Sequence, residues 1–248
     1  MGSEMCIRDS TDSVFAGSGG DIIDGGEGND ALVGEAGNDL IFGGAGDDFL
    51  SGGQGVDSLA GDDGNDLISA GDQDDVVTGG AGHDVIFGDL GNDQLSGGSG
   101  VDVIFGDDND PSDDFVPGGD DIINGGDDGD LLLGVGGNDT INGDAGDDVI
   151  RGGDDNDIIN GGSGNDFLFG EAGSDIFIFS NGNEADTVLD FENDVDELDL
   201  SDHGFADITD ALNAATQSGA DVFFDFGEGD TAVISNIDVA DLGDDIIV

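Results

Sequence analysis

The chain is almost without positive charge. Among 248 residues, two Lys and Arg together face 61 Asp and Glu, a formal net charge of −59. Nucleic acid is excluded as a partner, because holding phosphates takes basic side chains. Tryptophan and tyrosine are missing, proline and methionine occur twice each, and there is one cysteine. A lone thiol forms no intrachain disulfide, so no covalent staple holds the fold. Hydrophobic residues make up 35%, against roughly 45–50% in an ordinary soluble domain, which argues against a broad enzyme core. No run approaches about 18 apolar residues, so no membrane-spanning helix is expected, and no charged-then-apolar leader marks the general export route. The two histidines, His83 and His203, are not spaced for zinc; neither a nucleophile elbow nor a phosphate loop occurs. No catalytic motif is present in the chain. With so many acids, a pair of carboxylates at glycosidase separation carries no weight.

The first ten residues stand apart in composition. Met5-Cys-Ile-Arg-Asp-Ser10 holds the cysteine and one of the two arginines and resembles the translation of a sequencing adapter. Residues 1–15 are therefore set aside as a non-native leader. On that reading the native start lies upstream and its content is open.

What is abundant is glycine, 50 residues, and aspartate at a fixed interval. Aspartates recur every nine residues at Asp21, Asp30, Asp39, Asp48, Asp57, Asp66, Asp75, Asp84, Asp93 and Asp102, and then at Asp121, Asp130, Asp139, Asp148, Asp157, Asp166 and Asp175. Two residues after each stands an apolar side chain, from Ile23 and Leu32 to Leu168 and Phe177. Glycine usually occupies the positions two and five before the aspartate. Six residues rich in Gly, Asn and Asp make a tight turn with left-handed positions. The next three place one apolar side chain inward as a minimal strand. Two units close a coil, and stacked coils bury the apolar file that no single unit could bury. Between coils the carboxylates and the loop carbonyls converge as an all-oxygen cage, which suits six- to eight-coordinate Ca²⁺ better than strictly octahedral Mg²⁺.

These units are similar to Gly-Gly-x-Gly-x-Asp-x-apolar-x, the nonapeptide of the calcium-binding repeats-in-toxin (RTX) family. The resemblance implies an all-β fold, a parallel β-roll, with Ca²⁺ held between units on one side of the coil. It makes the seventeen aspartates the metal residues and the ions about a dozen in number. Gln73, Asp128 and Asp155 replace the glycine two before the aspartate. Gln tolerates left-handed geometry less well than Asp, so the loop at Gln73 is the expected weak position. Residues 106–115 break the register, reading as a loop bulging from the roll or a join between two rolls, solvated in preference to ion-binding.

After Asp175 the glycine loops stop. Strand-like runs at 176–179, 187–191, 197–200, 222–226 and 231–237, a hairpin turn at 227–230 and a helical pattern over 205–216 predict a small β-rich cap with one helix. Asp186-Thr-Val-Leu-Asp-Phe191, Asp196-Glu-Leu-Asp-Leu200, Gly219-Ala-Asp-Val-Phe-Phe-Asp-Phe226 and Gly229-Asp-Thr-Ala-Val-Ile234 resemble the C-terminal region of serralysin-type secreted metalloproteases. Asp245-Ile-Ile-Val248 is similar to that family's terminal pattern of one acid and three apolar residues. This resemblance implies secretion through a type I (ABC-transporter) channel, making the channel a partner and the protein extracellular. The domain layout expected is thus leader 1–15, roll 16–105, insertion 106–115, roll 116–178, and cap with export signal 179–248.

Outward strand positions differ between the two sides of the coil. Ala31, Val33, Phe49, Leu67, Val85, Phe87, Val103 and Phe105 make one side apolar, whereas Ser58, Gln94 and Ser96 fall on the other. The apolar side is a candidate for docking an upstream domain or another copy. The function expected is calcium binding by a roll that folds on ion uptake after secretion. The alternatives are the non-catalytic tail of a serralysin-like or other RTX enzyme, and a spacer in a surface adhesin or matrix protein.

Overall fold

The computed structural model describes residues 4–6, 10–107, 118–182, 184–227 and 229–248. Successive strands alternate between two facing sheets. Ile22–Glu27, Leu40–Ala45 and Ser58–Asp63 stack in the first, and Ala31–Ala36, Phe49–Gln54 and Leu67–Asp72 in the second. Pairing is parallel and in register one coil, eighteen residues, apart: Ile22 faces Leu40, and Ile23 faces Ile41. The fold is the expected parallel β-solenoid, with sheets of 12 and 13 strands among the described residues.

The core is a single file. Ile23, Leu32, Ile41, Leu50 and their successors to Phe177 are at most 3% exposed. Each lies two residues after an aspartate, so one side chain per unit fills the narrow space between the sheets. The typical strand is six residues long, not three. The added residues are the first half of each turn, where Gly26 pairs with Gly44 and Glu27 with Ala45. Identical loops stacked in register let their backbone groups bond between coils, which the single-unit reading could not show. Val135 occupies a loop position usually held by glycine at φ 83°, a backbone cost on the order of 1–3 kcal/mol for a β-branched residue.

Three of the expected boundaries shift. Val14 is buried in the core file and the Asp12 N–H donates to Asp30 Oδ1 at 2.7 Å. The roll therefore begins inside 1–15, because Asp12-Ser-Val14 repeats the Asp-x-apolar triplet nine residues before Asp21. Glu4–Cys6 adds a further strand beside Ile22–Glu27. At the insertion, Gly106 and Asp107 still belong to the strand Val103–Asp107, and residues 108–117, which include most of the expected loop, lie outside the described residues. The ladder crosses this point unbroken: Gln94–Ser99 pairs with Ile122–Asp127, and Val103–Asp107 with Leu131–Gly136. The roll is thus continuous on either side of the insertion. Beyond 178, Ala185–Val188 and Glu197–Asp199 extend the two sheets by another coil.

The cap closes the far end. Asp230–Ile234 pairs parallel to Ala185–Val188, and then the direction reverses: Asp221–Gly227 and Ala215–Ser218 follow antiparallel. The helix spans Ile208–Ala214, shorter than the pattern over 205–216, because Asp207 caps it by accepting the Asp210 N–H at 3.0 Å. Phe177, Phe179, Phe224, Leu242 and Ala211 fill the end of the core. His203 stacks on Phe226 with centroids 3.7 Å apart.

Exposed apolar side chains occur on both sheets. Phe49, Leu67 and Phe167 line the second, as expected, but Ile22, Val76, Ile122 and Ile158 stand out on the first. Phe87 and Phe105 stack at 5.0 Å on the second. Arg151 lies over the Phe169 ring and pairs with Glu171 at 2.5 Å, a partly exposed surface contact as its outward position implies.

Candidate functional site

The period-nine aspartates form two files, one along each turn of the coil. Within a file, every register carboxylate from Asp30 onward accepts the backbone N–H of the aspartate one coil earlier. Asp30 N–H donates to Asp48 Oδ1 at 2.7 Å, Asp48 N–H to Asp66 Oδ1 at 2.8 Å, and Asp39 N–H to Asp57 Oδ1 at 2.7 Å. Both files step over the insertion, from Asp93 to Asp121 and from Asp102 to Asp130, with the same geometry. All seventeen expected residues, Asp21 to Asp175, are at most 4% exposed.

The second oxygen is the unusual one. From Asp30 to Asp175, the Oδ2 of each register aspartate is buried and meets no hydrogen-bond donor. A buried carboxylate oxygen without a donor is costly, and native structures pair nearly all such atoms. What it faces is oxygen. A side-chain carbon added to Gly43 would lie 2.5 Å from Asp48 Oδ2 and 2.7 Å from the Gly61 carbonyl oxygen of the next coil. The same pairing of carboxylate and next-coil carbonyl recurs at Gly25 and Gly34, and from Gly79 to Gly152. Glycine is needed there because any methyl group would plug the recess. A hard cation that takes several oxygens at 2.3–2.6 Å suits such a donor set, so the residues present fit Ca²⁺.

Electrostatics says the same. Burial pushes Asp93 and Asp139 up to about 8, Asp75 and Asp121 to about 7, and Asp48 and Asp66 to about 6. The backbone N–H on Oδ1 works against that rise, and carboxylates of neighbouring coils add to it. Repelling charges buried without a counterion are the signature of a place built for a cation. Arg151, the one described Lys or Arg, is committed to Glu171 on the outer face.

Around the two files runs an exposed second ladder. Asp47 accepts from Asn65, and Asp120 from Asn138, through both backbone and side-chain N–H, which holds these two carboxyls below the usual range. His83 belongs to it: its Nδ1 accepts the Val101 N–H at 2.8 Å, so it serves the turn.

Sequence reasoning missed four buried acids and one that is partly buried. Asp12 starts one file with a partly buried side chain. Asp186 and Asp196 continue the files past the last glycine loop, accepting from Asp166 at 3.2 Å and Asp175 at 3.1 Å. Asp107 and Asp245 are buried outside the register. Asp12, Asp186 and Asp196 each precede a core residue by two, Val14, Val188 and Leu198, so the Asp-x-apolar triplet was the available signal; the nine-residue count hid the last two. At the expected weak loop, Gln73 keeps a left-handed φ of 82°. The departure that matters sits three residues earlier. Ala70 stands where most units carry the recess glycine, as Ala16 does before Asp21, so its own methyl group occupies that place beside Asp75.

Coils that bury two files of donorless carboxylate oxygens against glycine carbonyls define a parallel β-solenoid with a repeating all-oxygen recess. The chain belongs to the RTX calcium-binding nonapeptide repeat family, whose profile (four copies) matches residues 9–41, 24–59, 51–86, 60–95, 78–110, 133–168 and 151–183, well over half of its length. No curated protein matches the sequence. Among solved structures, the extracellular lipase LipA from Serratia marcescens aligns over 95% of this chain and 40% of its own, at 18% identity and a TM-score of 0.30. The chain thus spans well under half of that protein, and at such a score the superposition carries no argument.

Proposed function

We propose that this chain is a calcium-driven folding module of a secreted bacterial protein, in which the aspartates from Asp21 to Asp175 and the carbonyls of the recess glycines hold the ions between coils. The row of buried, donorless Oδ2 atoms carries this reading. The ions number about a dozen, fewer than the aspartates, because each needs a coil on either side. Ala16 and Ala70 mark the units of Asp21 and Asp75 as the weak or vacant positions. Equilibrium dialysis of the demetallated chain against CaCl₂ checks the count. Uptake of about a dozen ions supports the reading, and uptake of one or two refutes it.

Free calcium in a bacterial cytosol lies far below the roughly 10⁻⁴–10⁻³ M affinities of extracellular calcium modules. The chain therefore stays threadable inside and folds outside, where the ions replace absent disulfides as staples. The resemblance of the cap and its Asp245-Ile-Ile-Val248 tail to serralysin-type proteins supports export through a type I channel. Deleting residues 244–248 in a host carrying such a channel should abolish secretion; undiminished secretion would remove the tail from the mechanism. We read this chain as the ion-binding module, with any effector part upstream of it or absent. The exposed apolar rows on both sheets are the surfaces on which such a segment would dock.

A further inference from the structure

The last strand of the chain is held by a second kind of acidic cluster. Ile246–Ile247 pairs parallel to Glu197–Asp199, with the Leu198 N–H donating to the Asp245 carbonyl at 2.7 Å and the Leu200 N–H to the Ile247 carbonyl at 2.9 Å. The strand is short, and apart from Ile246 and Leu242 little apolar surface secures it. Beside it, carboxylate oxygens of Asp194, Asp244 and Asp245 lie within 4.8 Å of one another. Three like charges at that distance would drive the strand away unless something neutralises them.

Asp245 shows what is missing. It is 4% exposed, and its Oδ2 meets no hydrogen-bond donor. Burial raises its carboxyl, the Asp194 backbone N–H partly offsets this, and the carboxylates of Asp244, Asp194 and Glu197 raise it further. Among the described residues no Lys or Arg is free to answer that charge: Arg151 is paired with Glu171. Asp194 sits at φ 61°, so its loop bends to bring a third carboxylate against the tail. This cluster contains no glycine recess and lies outside the nine-residue register.

We infer that Asp194, Asp244 and Asp245 together bind one hard divalent cation, calcium by their all-oxygen donor set, and that this ion clamps the C-terminal strand onto the end of the roll. The inference rests on the proposed calcium-folded roll, since the strand that receives the tail is the roll's last rung. Its consequence is regulatory. Where calcium is scarce the tail is loose chain, available to an export channel; where calcium is plentiful it is withdrawn into the first sheet.

Hydrogen-exchange mass spectrometry of the full chain, titrated with CaCl₂ alone, tests the clamp. The readout is exchange in peptides covering residues 242–248, with far-ultraviolet circular dichroism of the same samples reporting the roll. Asp194→Asn and Asp244→Asn change exposed side chains and leave the roll files intact, so both variants should fold. In each, tail exchange should be at least about tenfold faster than in the parent at a calcium concentration where the dichroism curves coincide, with protection recovering at higher calcium. Parent-like tail protection in both variants at that concentration overturns the clamp while leaving the roll untouched. If the roll itself proves folded without calcium, the proposed function fails, and the clamp then stands only if calcium still slows exchange in 242–248 and the variants still weaken that effect.

Discussion

In a calcium-chelating buffer at pH 7.5 the chain is expected to lose nearly all of its β-sheet dichroism, and millimolar CaCl₂ to restore it in one cooperative transition. Coils in one file stack carboxylates such as Asp39, Asp57 and Asp75 along the roll, every one of them buried. Without metal, their repulsion and the backbone entropy of 50 glycines both favour the open chain. The apolar file offers one side chain per unit in return, too little to outweigh them. Each bound ion adds RT ln(1 + [L]/Kd), about 1.4 kcal/mol at ten times Kd, so about a dozen contribute on the order of 15 kcal/mol. That matches the whole stability of a typical domain, roughly 5–15 kcal/mol, so the ions decide whether the fold exists. Magnesium at the same concentration should not substitute, because it holds its waters and demands octahedral geometry that loop carbonyls and a single carboxylate oxygen per recess do not supply. Unchanged dichroism on chelation, or equal folding with MgCl₂, would contradict this account.

Acid should partly replace calcium. In the metal-free roll, burial places Asp93 and Asp139 near 8, Asp75, Asp148 and Asp157 near 7, and Asp84, Asp102 and Asp130 near 6. Their ordinary value is 3.8. For a carboxyl raised on folding, the folded state binds the extra proton, so stability falls as pH rises from the unfolded value through the folded one. The whole penalty is present above pH 8, and it shrinks progressively as pH drops through 8 to 4. Demetallated protein should therefore gain β-structure between pH 8 and pH 5, a range that stops short of precipitation near the isoelectric point of about 4.1. With calcium present the slope inverts, because protons compete with the ion for the same oxygens. The calcium midpoint should rise as pH falls. Circular dichroism of metal-free samples across that range checks the first statement; β-structure that is flat, or that declines with acid, would refute it.

The roll was legible because its period ties chemistry to geometry. An aspartate and an apolar residue two after it, with a glycine five before in most units, repeated from Asp21 to Asp175, left one way to stack the units and one file to bury. The ends were not legible in the same way. Past Asp175 the ladder partners of Asp166 and Asp175 lie 20 and 21 residues on, at Asp186 and Asp196, because longer loops replace the glycine turns. Only the core residues Val188 and Leu198 keep the trace of the pattern. The Asp12 unit is hidden in the sequence by the foreign composition of the residues before it, and composition does not see a register. Ala70 was visible as a departure, but its meaning, a methyl group beside Asp75 where most units leave space, required the coil geometry. Asp245 could be read as part of a tail and not as a buried charge, since its burial arises only when residues far apart in sequence, Leu198 and Ile246, come into register.

Small-angle X-ray scattering of one purified sample, first rigorously demetallated at pH 7.5 and then brought to millimolar CaCl₂, tests the central claim most directly. An unfolded chain of this length has a radius of gyration of about 55 Å. A stack of some dozen strands at a spacing of about 4.8 Å is a rod roughly 60 Å long, with a radius of gyration of about 20 Å. The account predicts a fall from the first value to the second when calcium is added. A radius near 20 Å in the metal-free sample, unmoved by calcium, would contradict it.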